Sequence, residues 1–297
     1  MTKSMLLRSA LSRVSVLSRN RLIGPGLGLV LPGAETNRST ALSASFATQD
    51  ASEGAEQAGL SKLVVFGGRG FVGSNVCKEA VGMGLTVLGI SRGGTPPMLH
   101  EPWVGAVEWA RGNALEPQTF VRHLEGADAV VSCIGGFGTT EEMLQVNGAA
   151  NVSLIEAAKA AGVKRFVFIS AHIPNIYGID SVLGGYIRGK QAAEEALRTH
   201  FPTTGVALRP GVIYGDRVVS STLTLPLGMA FKPIEMLIKR IGIDQAKQFA
   251  GVPLVGAAFV PPVSVETVAS VAVRAATDPS VPGGLIDVWE LAGKDKL

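Results

Sequence analysis

The chain is expected to fold as an α/β protein: a doubly wound parallel sheet covered by helices on both faces, with a small C-terminal lobe. Three observations carry that expectation. From Lys62 to about residue 215, short apolar runs alternate with longer helical stretches, and parallel strands need crossover helices between them. Glycines stand three apart, at Gly67, Gly70 and Gly73, directly after the first apolar run. The chain has 297 residues, 46% hydrophobic and only 17% charged, so it can bury a sizeable core and wholesale disorder is excluded.

Taken in order, residues 63–66 form a buried strand, 74–84 a helix and 85–90 a second strand. Residues 107–109 are a weak third strand, and 120–124 belong to a short helix. Residues 129–133 are the fourth strand and 148–161 a long alanine-rich helix. Residues 165–170, rich in β-branched and aromatic side chains, are the fifth strand. A helix over 186–199 and a sixth strand over 205–208 follow. The last eighty or so residues lose the rhythm and hold one clear helix, 265–277, between Pro261-Pro262 and Pro279. The domain reading is therefore a folded body over 62–217 and a lobe over 218–297 that completes the same fold and faces the substrate.

The glycine turn is the strongest motif. Gly68, Gly70 and Gly73 also satisfy the G-x-G-x-x-G rule, so both registers of the fingerprint are present. Glycine is required there by a positive φ, by the approach of a diphosphate to bare backbone, and by close strand–helix packing. The helix start then offers unsatisfied N–H groups and a partial positive charge. Between a strand and a helix, this pattern predicts a dinucleotide cradle in a Rossmann fold. A site preferring NAD normally ends its second strand near a carboxylate that binds the ribose 2′-hydroxyl. Here the strand ends in Ser91-Arg92-Gly93-Gly94. Arg92, helped by Arg69 in the turn, suits a 2′-phosphate, so NADP(H) is expected over NAD(H).

Tyr186 and Lys190 stand four apart on one helix face. A nearby ammonium stabilises a phenolate, so Tyr186 is expected to have a lowered pKa and to act as general acid or base towards a carbonyl. Lys190 would also hold the nicotinamide ribose. Ser170, at the end of the fifth strand, is expected to hydrogen-bond the substrate oxygen.

In this order the pieces resemble the short-chain dehydrogenase/reductase superfamily, in its extended and atypical branches. The matching stretches are Gly67 to Gly73, Val131-Ser-Cys-Ile-Gly135, Asn147-Gly-Ala-Ala-Asn151, Phe166-Val-Phe-Ile-Ser170, Tyr186 with Lys190, and Leu208-Arg-Pro-Gly-Val-Ile-Tyr-Gly215. Ser-Cys-Ile-Gly-Gly-Phe-Gly at 132–138 and the Pro-Leu-Val-Gly and Pro-Pro-Val segments within 253–263 are similar to plant and algal organellar NAD(P)-binding proteins. That group is similar in turn to the NADPH-binding accessory subunit of respiratory complex I and to a fungal accessory protein of coenzyme Q (ubiquinone) synthesis. The resemblance implies that Phe71, Val72, Cys133, Ile134, Gly135 and Pro210 also border the cofactor. Asn113 stands where an adenine-contacting aspartate is common, and residues 172–177 are unusual for the superfamily. His172 reads as a loop histidine without catalytic duty. Two functions follow: a reductase acting on a carbonyl, quinone-like or prenyl-lipid substrate, or a non-catalytic NADPH-binding subunit of an organellar membrane-associated assembly.

The first fifty residues differ from the rest. Lys3, Arg8, Arg13, Arg19 and Arg21 precede the first acidic residue, Glu35. On a helix, Leu7, Ala10, Leu11, Val14 and Leu17 oppose Arg8, Ser12, Ser15 and Arg19. This is the pattern of a transit peptide, read as mitochondrial with plastid import as the alternative. Residues 51–61 read as a polar linker. A net charge of +3 without a dense basic patch argues against nucleic-acid binding. Cys77 and Cys133 read as buried small hydrophobes, so no disulfide framework and no metal site are expected. No stretch suits a bilayer span. Residues 225–243 could form an amphipathic helix, more readily packed on its own core than on a lipid surface.

Overall fold

The computed structural model describes residues 62–174, 177–220, 223–252 and 256–293. The expected leader and linker lie outside them. In chain order come β1 (Lys62–Phe66), α1 (Phe71–Gly82), β2 (Thr86–Ser91), β3 (Val107–Arg111), β4 (Ala129–Ser132), α2 (Thr140–Leu144), α3 (Ala150–Ala160), β5 (Arg165–Ile169), α4 (Ile179–His200) and β6 (Gly205–Arg209). After these come β7 (Ile213–Tyr214), β8 (Asp216–Ser220), β9 (Leu223–Pro226), α5 (Leu227–Ile241), α6 (Ile243–Ala250), β10 (Val263–Ser264), α7 (Val265–Thr277), β11 (Gly284–Asp287) and α8 (Val288–Gly293).

Seven strands make one sheet in the order β11-β6-β5-β4-β1-β2-β3, and its neighbours are all parallel. The order reverses between β1 and β4, and a ligand crevice forms at such a switch point, beyond the carboxyl ends of the strands. Alternation along the strands fills two cores. Leu63, Val65, Val131, Val167 and Leu208 face α1 and α7, whereas Val64, Phe66, Val130, Phe166 and Phe168 meet residues of α3 and α4. Being apolar on both faces, these strands read as continuous hydrophobic runs. Inside β2, Gly89 leaves room for the Trp109 indole of β3; a Cβ there would lie 2.5 Å from the ring.

Several boundaries differ from expectation. Helix α1 starts at Phe71 because Gly70 is already its N-cap. Helix α4 starts at Ile179 rather than 186, after Gly178 in the left-handed region. Glycines in its first turns weaken the helical signal, yet Gly185 admits the Thr140 carbonyl, which would lie 2.3 Å from any Cβ. The alanine-rich helix is continuous with α2 through a π-helical turn, Gln145–Ala149. The amphipathic stretch 225–243 is broken by Gly242 at φ +104 into α5 and α6. The 120–124 segment is a 3-10 turn, Val121–Leu124. In the C-terminal segment, β11 joins the main sheet beside β6, and Arg165 of β5 donates to the Ala275 and Val281 carbonyls at 2.8 and 2.7 Å. No helix among the described residues is long and apolar enough to cross a membrane.

Candidate functional site

The glycine turn bridges β1 and α1. Gly67 takes φ +75, its N–H donates to the Ile90 carbonyl at 2.8 Å, and its own carbonyl accepts from Gly70. A Cβ on Gly73 would lie 2.2 Å from that carbonyl oxygen, so the helix can lean on the turn only without a side chain. The first N–H groups of α1 are left without an intrahelical partner. Gly67, Arg69 and Gly70 line a cavity of about 290 Å³ together with Ser91, Arg92, Asn113 and residues 133–135.

The Arg69 guanidinium lies within 3.5 Å of where a Cβ on Gly93 would sit, beside exposed Arg92. Neither arginine has a carboxylate partner among the described residues. Asn113 sits on the cavity wall with its amide donating to Glu116 at 2.6 Å. The opposite wall, Cys133 to Gly136, is held by two buried asparagines. Asn147 accepts from the Gly136 N–H at 3.2 Å and donates to its carbonyl at 2.8 Å. Asn151 accepts from Ser132 at 2.6 Å and donates to the Ile134 carbonyl. Burial pushes the Cys133 thiol up to about 12, so it stays protonated. This arrangement fits a dinucleotide: bare backbone where a side chain would intrude, open helix N–H groups, and two cations at the end of β2.

Not every expected cofactor residue borders this cavity. Phe71 lines a neighbouring cavity of about 440 Å³ with Asp216 and Glu266. Gly68 is buried behind the turn, Val72 packs on the core, and buried Pro210 accepts from the His172 N–H at 2.8 Å.

At the other end of the crevice, Lys190 is buried and its ammonium donates to the Ile169 carbonyl at 2.7 Å and the Ile134 carbonyl at 3.3 Å. It lies 4.6 Å from the Phe168 ring centre and 5.8 Å from that of Tyr186. Burial pushes its pKa down to about 7. Tyr186 was expected to be lowered by this ammonium. It is instead raised, because burial outweighs a charge that faces backbone carbonyls. The ring of Phe137 contributes to that burial: it stacks on Tyr186 at 5.0 Å with 11° between planes.

Ser170 donates its one hydroxyl proton to Glu194 at 2.5 Å, and Glu194 is clamped from the other side by Arg209. The structure thus places Ser170 on an ion pair, where the sequence suggested a substrate contact. His172, read as an idle loop residue, is anchored: its Nδ1 lies 2.8 Å from Asp287 Oδ1, and its ring meets Trp289 edge-on at 6.0 Å. Sequence reasoning missed Phe137 over Tyr186 and the Glu194–Arg209 pair. For Phe137 a signal was available, an aromatic residue isolated among Gly135, Gly136 and Gly138.

The geometry agrees with what is known of similar proteins. The NAD(P)H-binding family matches residues 67–226. A chloroplastic protein of uncharacterised activity from Arabidopsis thaliana is 38% identical over 221 residues, covering 73% of this chain and 72% of its own. Component 2 of the MIOREX complex of Saccharomyces cerevisiae is 36% identical over 80 residues, 26% of this chain and 29% of that one. A 2-alkyl-3-oxoalkanoate reductase from Stenotrophomonas maltophilia is 30% identical over 173 residues, 52% and 51% of the two chains. Among solved structures, the Bordetella bronchiseptica enzyme WbmG in complex with NAD superposes with a TM-score of 0.54 at 18% identity, covering 78% of this chain and 74% of its own, a likeness of fold.

Proposed function

The chain belongs to the NAD(P)H-binding family, within the short-chain dehydrogenase/reductase superfamily that its motifs resemble, and from that premise we propose that it is an NADP(H)-dependent reductase of a carbonyl or quinone-like substrate. The observation that carries this reading is the α4 face on which Lys190 reaches the Ile134 carbonyl of the cofactor crevice, one turn from Tyr186.

In this reading the glycine turn and the start of α1 hold the diphosphate, and Arg69 and Arg92 hold a 2′-phosphate. Lys190, with the 133–135 wall, orients the ribose nearest the reacting ring. The bound dinucleotide supplies a hydride to the substrate carbon. Tyr186 gives its hydroxyl proton to the substrate oxygen. At neutral pH that hydroxyl is protonated and so can donate. Water restores the proton to the phenolate left behind. Ser170 has no part in this scheme, because its proton is already given to Glu194.

The test is NADPH oxidation across a panel of carbonyls and quinones, comparing the parent with Tyr186→Phe. Turnover falling roughly 100- to 10,000-fold, with NADPH binding unchanged, supports the reductase; that is the range of general-acid effects. Tight NADPH binding with no turnover on any substrate overturns it.

One observation favours a second reading, an NADPH-binding accessory subunit of an organellar membrane-associated assembly. Tyr214 and Ile238 tie the inner face of α5 to the core, through a Tyr214–Glu235 hydrogen bond and burial of Ile238. The outer face exposes Ile234, Leu237 and Ile241 beside Lys232 and Arg240, a pattern suited to a lipid or protein surface. The MIOREX relative supports the assembly reading, and absence of co-sedimentation with anionic liposomes in low salt removes its membrane part. For location, the basic leader favours mitochondrial import and the chloroplastic relative favours the plastid. Residues 1–61 fused to a fluorescent reporter decide between them.

A further inference from the structure

The loop that follows β4 carries a large apolar side chain that stays mostly in solvent. Phe137 is 76% exposed, yet the backbone on either side of it is fixed. Before it, Gly136 is bonded through both its N–H and its carbonyl to Asn147. After it, Thr139 and Glu142 form a capping box: the Thr139 N–H donates to the Glu142 carboxylate at 2.8 Å, and the Glu142 N–H donates to the Thr139 hydroxyl at 3.3 Å. A Cβ on Gly138 would lie 2.5 Å from Glu142 Oε2 and would push that carboxylate out of its place in the capping box. The contact of Thr140 with Gly185 then holds this loop against α4. Every restraint serves to set a bare aromatic ring over Tyr186, the group to which the reductase reading assigns the proton.

A second apolar side chain stands at the same place. Val182 is 70% exposed and lies one helical turn before Tyr186, on the same face of α4. The Tyr186 ring is therefore covered on one side by an aromatic plane, with a branched aliphatic group one helical turn away on the same helix face, both open to solvent. A surface of this kind loses little by releasing water and gains most from a flat apolar ring, which can stack on the Phe137 plane.

We propose that Phe137, supported by Val182, is the specificity-determining residue of the site, and that it selects substrates whose reactive carbonyl is attached to a planar apolar ring. The proposal rests on the reductase reading for the identity of the reacting group, but the ring preference is a property of binding and is measurable without turnover.

The experiment compares 2-acetylnaphthalene with 2-decanone, an aromatic and a straight-chain ketone, on the NADPH-loaded protein. Both KM in NADPH oxidation and equilibrium dialysis are read for the parent, Phe137→Leu and Val182→Ser. Phe137→Leu keeps an apolar group and removes the plane. Its expected effect is loss of about fivefold in affinity for the aromatic ketone relative to the aliphatic one, within the range of aromatic-pair energies. Val182→Ser is expected to weaken both ketones alike. An unchanged aromatic-to-aliphatic ratio in Phe137→Leu overturns the proposal, as does a parent that shows no ring preference by dialysis. A ring preference seen by dialysis and lost in Phe137→Leu, without turnover of either ketone, upholds the proposal and sinks the reductase reading alone.

Discussion

The two ends of the crevice solve opposite problems. At the phosphate end, the chain presents backbone and unspent charge: Gly67 and Gly73 in contact without side chains, helix N–H groups, and Arg69 and Arg92 with no carboxylate partner among the described residues. At the end that holds Tyr186 and Lys190, most polar groups are already engaged. Lys190 donates to two carbonyls, Ser170 to Glu194, and Glu194 to no one but receives Arg209 as well, while Tyr186 lies under Phe137. The open end gains free energy when a ligand arrives. The engaged end holds its geometry without one; under the proposed reductase reading, atoms positioned in advance need no reorganisation during reaction.

Changes at the two ends should therefore differ in kind. The largest effect is expected from Gly73→Val, whose Cβ must displace the Gly67 carbonyl. NADPH binding should be lost by calorimetry, with a fall in stability of about 1–3 kcal/mol, typical of overpacking. A variant that binds normally would mean that the helix can retreat from the turn. Arg92→Ala should weaken NADPH by roughly 10- to 100-fold, reflecting charged hydrogen bonds worth about 1.5–3 kcal/mol. NADH affinity should stay within about twofold, since it lacks the phosphate that the guanidinium would bind. Equal losses for both cofactors would assign Arg92 to another part of the site.

A third test probes the engaged end through pH. Burial lowers the Lys190 pKa from 10.5 to about 7, so between these values the unfolded chain holds a proton that the folded chain has released. Stability should rise with pH across that window, by at most about 1.4 kcal/mol per unit. The cost of the buried charge is fully present below pH 7. Chemical denaturation of the parent and of Lys190→Met between pH 7 and 10 should show this slope in the parent alone; parallel curves would show that the ammonium is well accommodated by its carbonyls.

Much of the fold was legible because its signals are local. Strands buried on both faces read as unbroken apolar runs, and the glycine triplet marks one turn by spacing alone. The start of α4 was missed because Gly184 and Gly185 oppose helix propensity, and the reason for Gly185 is the close passage of Thr140 of α2. Strand β11 was missed because four residues, Gly-Leu-Ile-Asp, carry too little pattern to stand out. Helical spacing put Tyr186 and Lys190 on one face of α4, where the structure has them one turn apart. The direction of the tyrosine's shift was not legible, since it depends on what covers the ring.

The division has a physical origin. Periodicity and glycine spacing are set by neighbours along the chain, so residues 62–90 declare a dinucleotide fold on their own. Which polar group satisfies which is decided between residues far apart. His172 meets Asp287 across 115 positions, Ser170 faces Glu194 rather than a ligand, and Phe137 comes to rest on Tyr186. A buried donor takes whatever acceptor packing brings to it, and packing exists only once the sheet and its helices have closed.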